Sequence, residues 1–177
     1  MSKDIEAVKA YLFYISKLDE KLKKSLLNDF LRRHVQDVNY CPFVSEEAVK
    51  LLKGKVTADE LKNIKWPYKS PGDGVPEKIR PLFTNSAKGN EGSEKIFHFE
   101  HHIPASMGAN ELLEINLNSP DVDKKIKAIL GKCRLCLITK EEDDKLTKQK
   151  WAKERPPNAY EQIGIKLISL DEACKML

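Results

Sequence analysis

The chain has 177 residues, 41% of them hydrophobic and 33% charged, the composition of one compact soluble domain with a heavily charged exterior. Thirty-one Lys and Arg against 27 Asp and Glu leave a net charge of +4, which permits a polyanionic partner but falls well short of a histone-like balance. These proportions exclude collagen, low-complexity disorder and membrane bundles, and no stretch reaches the ~18 apolar residues of a membrane span. The opening MSKDIEAVKAYLFYISKL interrupts its apolar residues with Lys, Asp or Glu every few positions, unlike a signal peptide, so the expected location is cytoplasmic.

From residue 4 to 37 apolar side chains recur at three- and four-residue steps: Ile5, Val8, Leu12, Ile15 and Leu18, then Leu22, Leu26, Leu27, Phe30 and Leu31 after a charged break. That period predicts two amphipathic helices, or one bent helix. His34, within FLRRHVQDV, is expected at the surface or at a boundary. Ser45 before a Glu-rich turn in SEEAVKLL, and Thr57 with Glu60 three residues on, read as N-caps of two further helices. Residues 1–65 are therefore expected as a helical N-terminal subdomain.

Between Trp66 and Glu94 no apolar period survives, and Pro and Gly crowd the stretch. It reads as a linker or a long functional loop. Lys69, Lys78, Arg80 and Lys88, with Trp66 and Tyr68 nearby, could touch phosphate and stack on bases; the plainer alternative is a solvated loop with two aromatics tucked onto the core.

From residue 95 to 177 the texture is α+β. KIFHFEHHIP alternates Ile96, His98 and Glu100 with Phe97, Phe99 and His101 up to Pro104, which predicts a strand. Ser119-Pro120 predicts the start of a helix over PDVDKKIKAIL that Gly131 closes. CRLCLIT is a second strand candidate, and Thr139 with Glu142 is a capping box for the helix TKEEDDKLTKQKWAKE, stopped by Pro156 and Pro157. IKLISL follows as a last short strand, and then a turn of helix from Asp171.

Four cysteines, Cys41, Cys133, Cys136 and Cys174, are expected as free thiols in a chain without a secretory signal. Cys133 and Cys136 have the spacing of half a zinc knuckle, but no second pair exists, and alternate residues of a buried strand point to opposite faces.

Three of the four histidines fall within five residues, in His98-Phe-Glu100-His101-His102. Histidine transfers protons near neutral pH and ligates metals, and a neighbouring carboxylate can hold a divalent cation. His98 and Glu100 share a strand face, whereas Glu100 and His101 converge only if the strand ends or bends, which Pro104 favours. Two alternatives stand beside a catalytic role. One is a buried structural network in which each ring is satisfied; the other is a structural metal such as Zn²⁺, completed by Cys41 or Cys133.

The segment Glu100-His101-His102-Ile103-Pro104-Ala105-Ser106-Met107-Gly108-Ala109 resembles the D-H-I-x-P-x-S-x-G-G stretch of HNH endonucleases of the His-Me finger class. The resemblance implies that Glu100 stands at the metal-binding acid and His101 at the general base. Pro104 and Ser106 occur in place, Gly108 matches the first glycine and Ala109 replaces the second. It further implies a ββα-metal nuclease acting on nucleic acid, DNA above all. A hairpin would present acid and base, a Mg²⁺-like or Mn²⁺-like cation (Zn²⁺ the alternative) would sit at the scissile phosphate, and Asn116 of Asn116-Leu117 would be a further metal position. His98 would extend the metal site.

The expected fold is accordingly α+β, a helical N-terminal part followed by a small ββα-like core with few strands. Lys124, Lys125 and Lys127, with Arg134, become candidate phosphate contacts if their helix packs beside the His-rich strand; their placement toward the helix C-terminus is also what the macrodipole alone favours. The function expected is metal-dependent cleavage of phosphodiester bonds, in restriction or phage defence. The alternative is a non-catalytic interaction module, pairing as a homodimer or with another protein through the N-terminal helices.

Overall fold

A computed structural model describes residues 2–37, 41–64, 75–83, 95–151 and 154–177, with the side chains of 2–4 and 34–37 outside that description. The N-terminal period resolves into two helices, α1 (Ser2–Ile15) and α2 (Glu20–Asp37). Asp19 divides them: its Oδ1 accepts the Leu22 amide at 3.0 Å, starting a new helix where a bent one would continue. Val8, Leu12 and Ile15 on α1 and Leu27 and Leu31 on α2 are buried, and Tyr11 stacks on Phe30 with centroids 4.9 Å apart, joining the pair.

Four strands form one mixed sheet: β1 (Phe43–Ser45), β2 (Phe97–His101), β3 (Leu135–Thr139) and β4 (Leu167–Ser169), in the order β2-β3-β1-β4. β1 runs parallel to β3; β2 with β3 and β1 with β4 are antiparallel. The last three strands of the chain fall within KIFHFEHHIP, CRLCLIT and IKLISL, the segments expected as strands. β1 was not expected: three residues are too few to show a period of two, and the Ser45 cap drew the segment into a helix. Because β1 lies between β3 and β4, the N-terminal helical part and the α+β part share one sheet, and buried residues from both form one core cluster.

The helices follow their caps. Ser45 caps α3 (Glu46–Leu52), and Thr57 with Glu60 makes a complete capping box for α4 (Ala58–Lys62). After β2 come α5 (Ala105–Leu113) and α6 (Val122–Lys132). After β3 come α7 (Lys140–Lys148), α8 (Ala159–Gln162) and, beyond β4, α9 (Leu170–Met176). α6 starts later than Ser119 suggests. The Ser119 hydroxyl is spent on Asp121 and its carbonyl accepts Val122, making a turn first. Gly131 lies inside that helix and does not close it, and α7 ends before its expected span, with Lys150 in a left-handed conformation at φ 59°.

The hairpin implied by the resemblance takes another form. Among the described residues β2 pairs with β3, which arrives only after α5 and α6, and makes a single bridge at Phe83. α5 follows β2 directly past Pro104.

The sheet separates two apolar layers. Phe97, Phe99, Leu135, Leu137 and Val44 join the helices of the large cluster, while Cys136, Ile138, Leu146, Tyr160 and Ile165 form a smaller one. Phe97 and Phe99 are fully buried, and Phe83 stacks on Phe99 at 5.0 Å; each such ring stabilises the fold by roughly 1.5–3 kcal/mol. α5 approaches α2 closely at Gly108, where a Cβ would stand 2.6 Å from Cys133 Sγ and 3.0 Å from Leu31 Cδ1. The glycine that the resemblance matched therefore has a packing reason here.

All four cysteines are free, and Cys133 and Cys136 lie in different clusters. Trp66, Tyr68, Lys69 and Lys88 lie outside the described residues. Lys78 is paired with Glu60 at 2.9 Å and Arg80 reaches the Val75 carbonyl at 3.4 Å, so both are tied to the protein itself. Among the described residues no helix is long and apolar enough to cross a membrane.

Candidate functional site

Strand parity places the first two functional side chains. His98 lies opposite Ile138 and Glu100 opposite Cys136, so both project on the face of the smaller apolar cluster. α7 delivers a third. Its first turn is fixed by Glu142, whose buried Oε2 accepts the Ser45 hydroxyl at 2.6 Å and the Thr139 amide at 2.8 Å, tying the ends of β1 and β3 together. Asp143, the next residue, then faces β2.

His98 Nε2 stands 3.6 Å from Glu100 Oε2 and 3.8 Å from Asp143 Oδ1. One donor atom from each of the three lies within 4.8 Å of the others. The second oxygen of each carboxylate is already held. Arg155 Nη2 donates to Glu100 Oε1 at 2.6 Å, and Lys140 Nζ donates to Asp143 Oδ2 at 2.9 Å. Each acid thus turns one oxygen to a fixed cation and the other to the centre of the group.

Arg155 is the anchor of this arrangement. Its side chain is only 8% exposed, and Nη1 donates to the His101 carbonyl at 2.6 Å, the His102 carbonyl at 3.3 Å and the Tyr160 hydroxyl at 2.9 Å. It therefore pins the end of β2 where that strand turns into α5. His102 belongs to the scaffold: its ring lies over Tyr160 at 5.5 Å with planes 9° apart, and its amide donates to the Arg134 carbonyl at 2.8 Å.

Glu100, His101, Asp143 and Arg155 line one cleft of about 270 Å³, with Arg32 from α2, Ser106 from the start of α5 and Thr147 from α7 on its walls. Burial would raise the Glu100 carboxyl, but the hydrogen bond to His98 and the charge of Arg155 outweigh it and hold the group below its ordinary range. Burial pushes the His101 imidazole down, and Arg32, Arg155 and His98 add to that against the pull of Glu100. His101 is consequently neutral at pH 7, the form that accepts a proton. Burial also lowers His102 and pushes the Cys136 thiol up to about 12.

Of the residues singled out by sequence, Glu100 and His101 line the cleft, and His98 meets Glu100 and Asp143 without lining it. Asn116 does not: it is exposed in the turn beyond α5, its Oδ1 accepting the Asn118 amide at 3.0 Å. It lies at the opposite end of a nine-residue helix from the cleft, on the order of 13 Å along the axis. Lys124, Lys125 and Lys127 are exposed on α6, which packs on α1 and α5 and not beside β2. Lys125 pairs with Asp121 at 3.2 Å. Arg134 is half-buried and does not line the cleft, and no cysteine joins the His98 group.

Sequence reasoning missed Asp143, Arg155 and Arg32. Asp143 sat in an acidic first turn that the helix dipole explains by itself, and Arg155 beside two prolines had no periodic context. The spacing that could have found Asp143 is its position one turn past a strand-end N-cap.

Comparison of the chain with protein-family models, with curated proteins and with solved structures finds no match.

Proposed function

We propose that the cleft is the active site of a divalent-metal-dependent endonuclease that hydrolyses phosphodiester bonds of nucleic acid, DNA being the substrate that the Glu100–Ala109 resemblance implies. The observation that carries the reading is the convergence of His98, Glu100 and Asp143, the two acids lining, with a neutral His101, a cleft that also holds Arg32. One nitrogen and two carboxylate oxygens, each carboxylate steadied through its other oxygen, make a donor set that fits Mg²⁺ or Mn²⁺ and also suits Zn²⁺. A cation bound there supplies Lewis-acid polarisation of a phosphoryl oxygen and offsets charge on the leaving oxygen.

The chain's own residues supply the rest. A ring nitrogen of His101 takes the proton of the attacking water as that oxygen bonds to phosphorus and the bond to the leaving ester oxygen breaks, the departing oxygen taking a proton from solvent; the base contributes roughly 10² to 10⁴ in rate. Arg32 attracts the non-bridging phosphate oxygens. Arg155 keeps the Glu100 carboxylate oriented and fixes the backbone that carries His101. A cytoplasmic location, with restriction or phage defence as the setting, belongs to the same reading and is supported by four free thiols.

The test is cleavage of plasmid, single-stranded DNA and RNA with Mg²⁺, Mn²⁺ or EDTA, beside His101→Ala at matched folded content and with a calorimetric Mn²⁺ titration of wild type and Asp143→Asn. Cutting that needs metal and is lost in His101→Ala, with Mn²⁺ affinity weakened in Asp143→Asn, is the expected result. Cutting that persists in EDTA, or no cutting and no Mn²⁺ binding, overturns the proposal.

A second reading has one observation on its side. Phe13 and Tyr14 on α1 are 64% and 70% exposed and Leu22 on α2 is 43% exposed, a surface suited to a non-catalytic interaction module, as homodimer or with another protein, whose histidines are structural. That reading gains if wild type neither cuts nor binds Mn²⁺ and His98→Ala only loses stability.

A further inference from the structure

We propose that the exposed face of α2 is the track along which a phosphodiester strand runs into the cleft, so that the site takes a polymer and not a mononucleotide; the inference rests on the reading of the cleft given above. At 100° per residue, Lys21, Ser25 and Arg32 fall within about 40° of one another on α2, and Lys24 stands about 60° to one side of Lys21. Leu27 and Leu31 are buried on the side of the helix that begins just beyond Lys24, where α2 packs on α5, so the packing that fixes the helix also fixes where the exposed cations point. Arg32 ends the stripe inside the cleft.

The stripe is basic, and Arg33 adds a further exposed cation beside it, unpaired among the described residues. Lys21, Lys24 and Arg32 are exposed and make no ion pair among the described residues, and the exposed carboxylate of Asp29 stands to the other side, about 40° from Ser25. Lys23, on a different face, is neutralised by Glu20 at 2.6 Å. From Lys21 to Arg32 the helix rises roughly 16 Å, the length of about four to five nucleotides at ~3.4 Å per nucleotide of a strand. A mononucleotide in the cleft reaches Arg32 and leaves the two lysines without a role, whereas a strand leaving the cleft along α2 meets all three cations in turn. The neutral, exposed Ser25 between them offers a hydrogen-bonding group without adding charge.

The experiment is fluorescence anisotropy of a labelled single strand of roughly 12 nucleotides, within the site sizes of such grooves, in EDTA and over a salt series. Lys21→Gln/Lys24→Gln is compared with wild type and with Lys53→Gln/Lys55→Gln, which removes the same charge from exposed positions just after α3. Loss of two phosphate contacts makes the slope of log K against log salt shallower by about 1.4 and weakens binding on the order of 20-fold at about 0.1 M salt. The α3 variant is expected to stay near wild type.

Equal weakening in both double variants, which is an effect of net charge alone, overturns the track, as does a Lys21→Gln/Lys24→Gln variant that binds like wild type. Hydrolysis of bis(p-nitrophenyl) phosphate by wild type with Mn²⁺, followed in parallel, separates this proposal from the one it rests on. Hydrolysis of the small diester with strand binding indifferent to both lysines removes the track and leaves the nuclease. Binding that depends on both lysines, with neither the small diester nor the strand itself cut in Mn²⁺, supports the track as a strand-binding surface and removes the nuclease.

Discussion

Replacing Arg155 by Met keeps most of the side-chain volume and removes the guanidinium. The Glu100 carboxylate, 18% exposed, then loses its 2.6 Å partner, and the His101 and His102 carbonyls and the Tyr160 hydroxyl lose the shared Nη1 donor. Deleting one member of a buried ion pair costs roughly 3–5 kcal/mol, because the remaining charge is left without compensation. Residual exposure of Glu100 and the nearby His98 ring set the expectation at the lower end, about 3 kcal/mol. With unfolding entropy scaling with the 177-residue length, that loss lowers the thermal midpoint by about 8 °C. Urea denaturation and thermal circular dichroism measure it. Arg155→Met/Glu100→Gln, which removes the stranded charge as well, is expected to recover about half of the loss. A single-variant loss under about 1 kcal/mol, or a double variant no better than the single, refutes the account of Arg155 as a buried counter-ion.

Three further outcomes follow from the packing and the caps. Gly108→Ala gains helix propensity but drives a Cβ into Cys133 Sγ and Leu31, and a net loss of about 1–2 kcal/mol is expected by denaturation; adding Cys133→Ala should return most of it, and no return would mean that the clash is not the cause. Glu142→Ala leaves the Ser45 hydroxyl and the Thr139 amide without their acceptor, an expected cost of about 2–3 kcal/mol, and a near-neutral result would show that the link between β1 and β3 contributes little. Burial holds the Cys133 and Cys136 thiols up at about 11 and about 12, raises Cys41 well above its ordinary value and leaves only Cys174 partly exposed. Burial raises the Cys174 thiol as well, so Ellman's reagent at neutral pH should find Cys174 reacting ahead of the other three in the native protein and all four after unfolding, whereas fast native reaction of a second thiol would contradict that burial.

What the sequence announces clearly are features written in adjacent residues. The Thr57 and Thr139 capping boxes, the apolar stripes of α1 and α2, and the alternation of Phe97 and Phe99 with His98 and Glu100 are each local, and each appears where expected. What stays hidden depends on residues far apart in the chain. β1 is a strand because β3 and β4 flank it, and nothing within Phe43–Ser45 says so. Asn116 was reached by counting along the chain, whereas Asp143 arrives beside His98 by the register of β2 against β3. Arg155 is 55 residues from Glu100 in sequence and 2.6 Å from it in space. The lysines of α6 looked suited to phosphate by composition, but α6 packs away from β2, and the cleft draws its exposed arginine from α2 instead.

The placement of β1 bears on how the molecule could be taken apart. A break in the chain between residues 65 and 94 would put one strand of the sheet on the first fragment and three on the second. Among the described residues β4 pairs only with β1, so the second fragment alone would carry an orphaned strand and an open edge beside β3. The cleft would be divided in the same cut, Arg32 travelling with one fragment and Glu100, His101, Asp143 and Arg155 with the other. Such a pair of fragments would be a complementation system, in which any activity of the cleft reports that the two pieces have met.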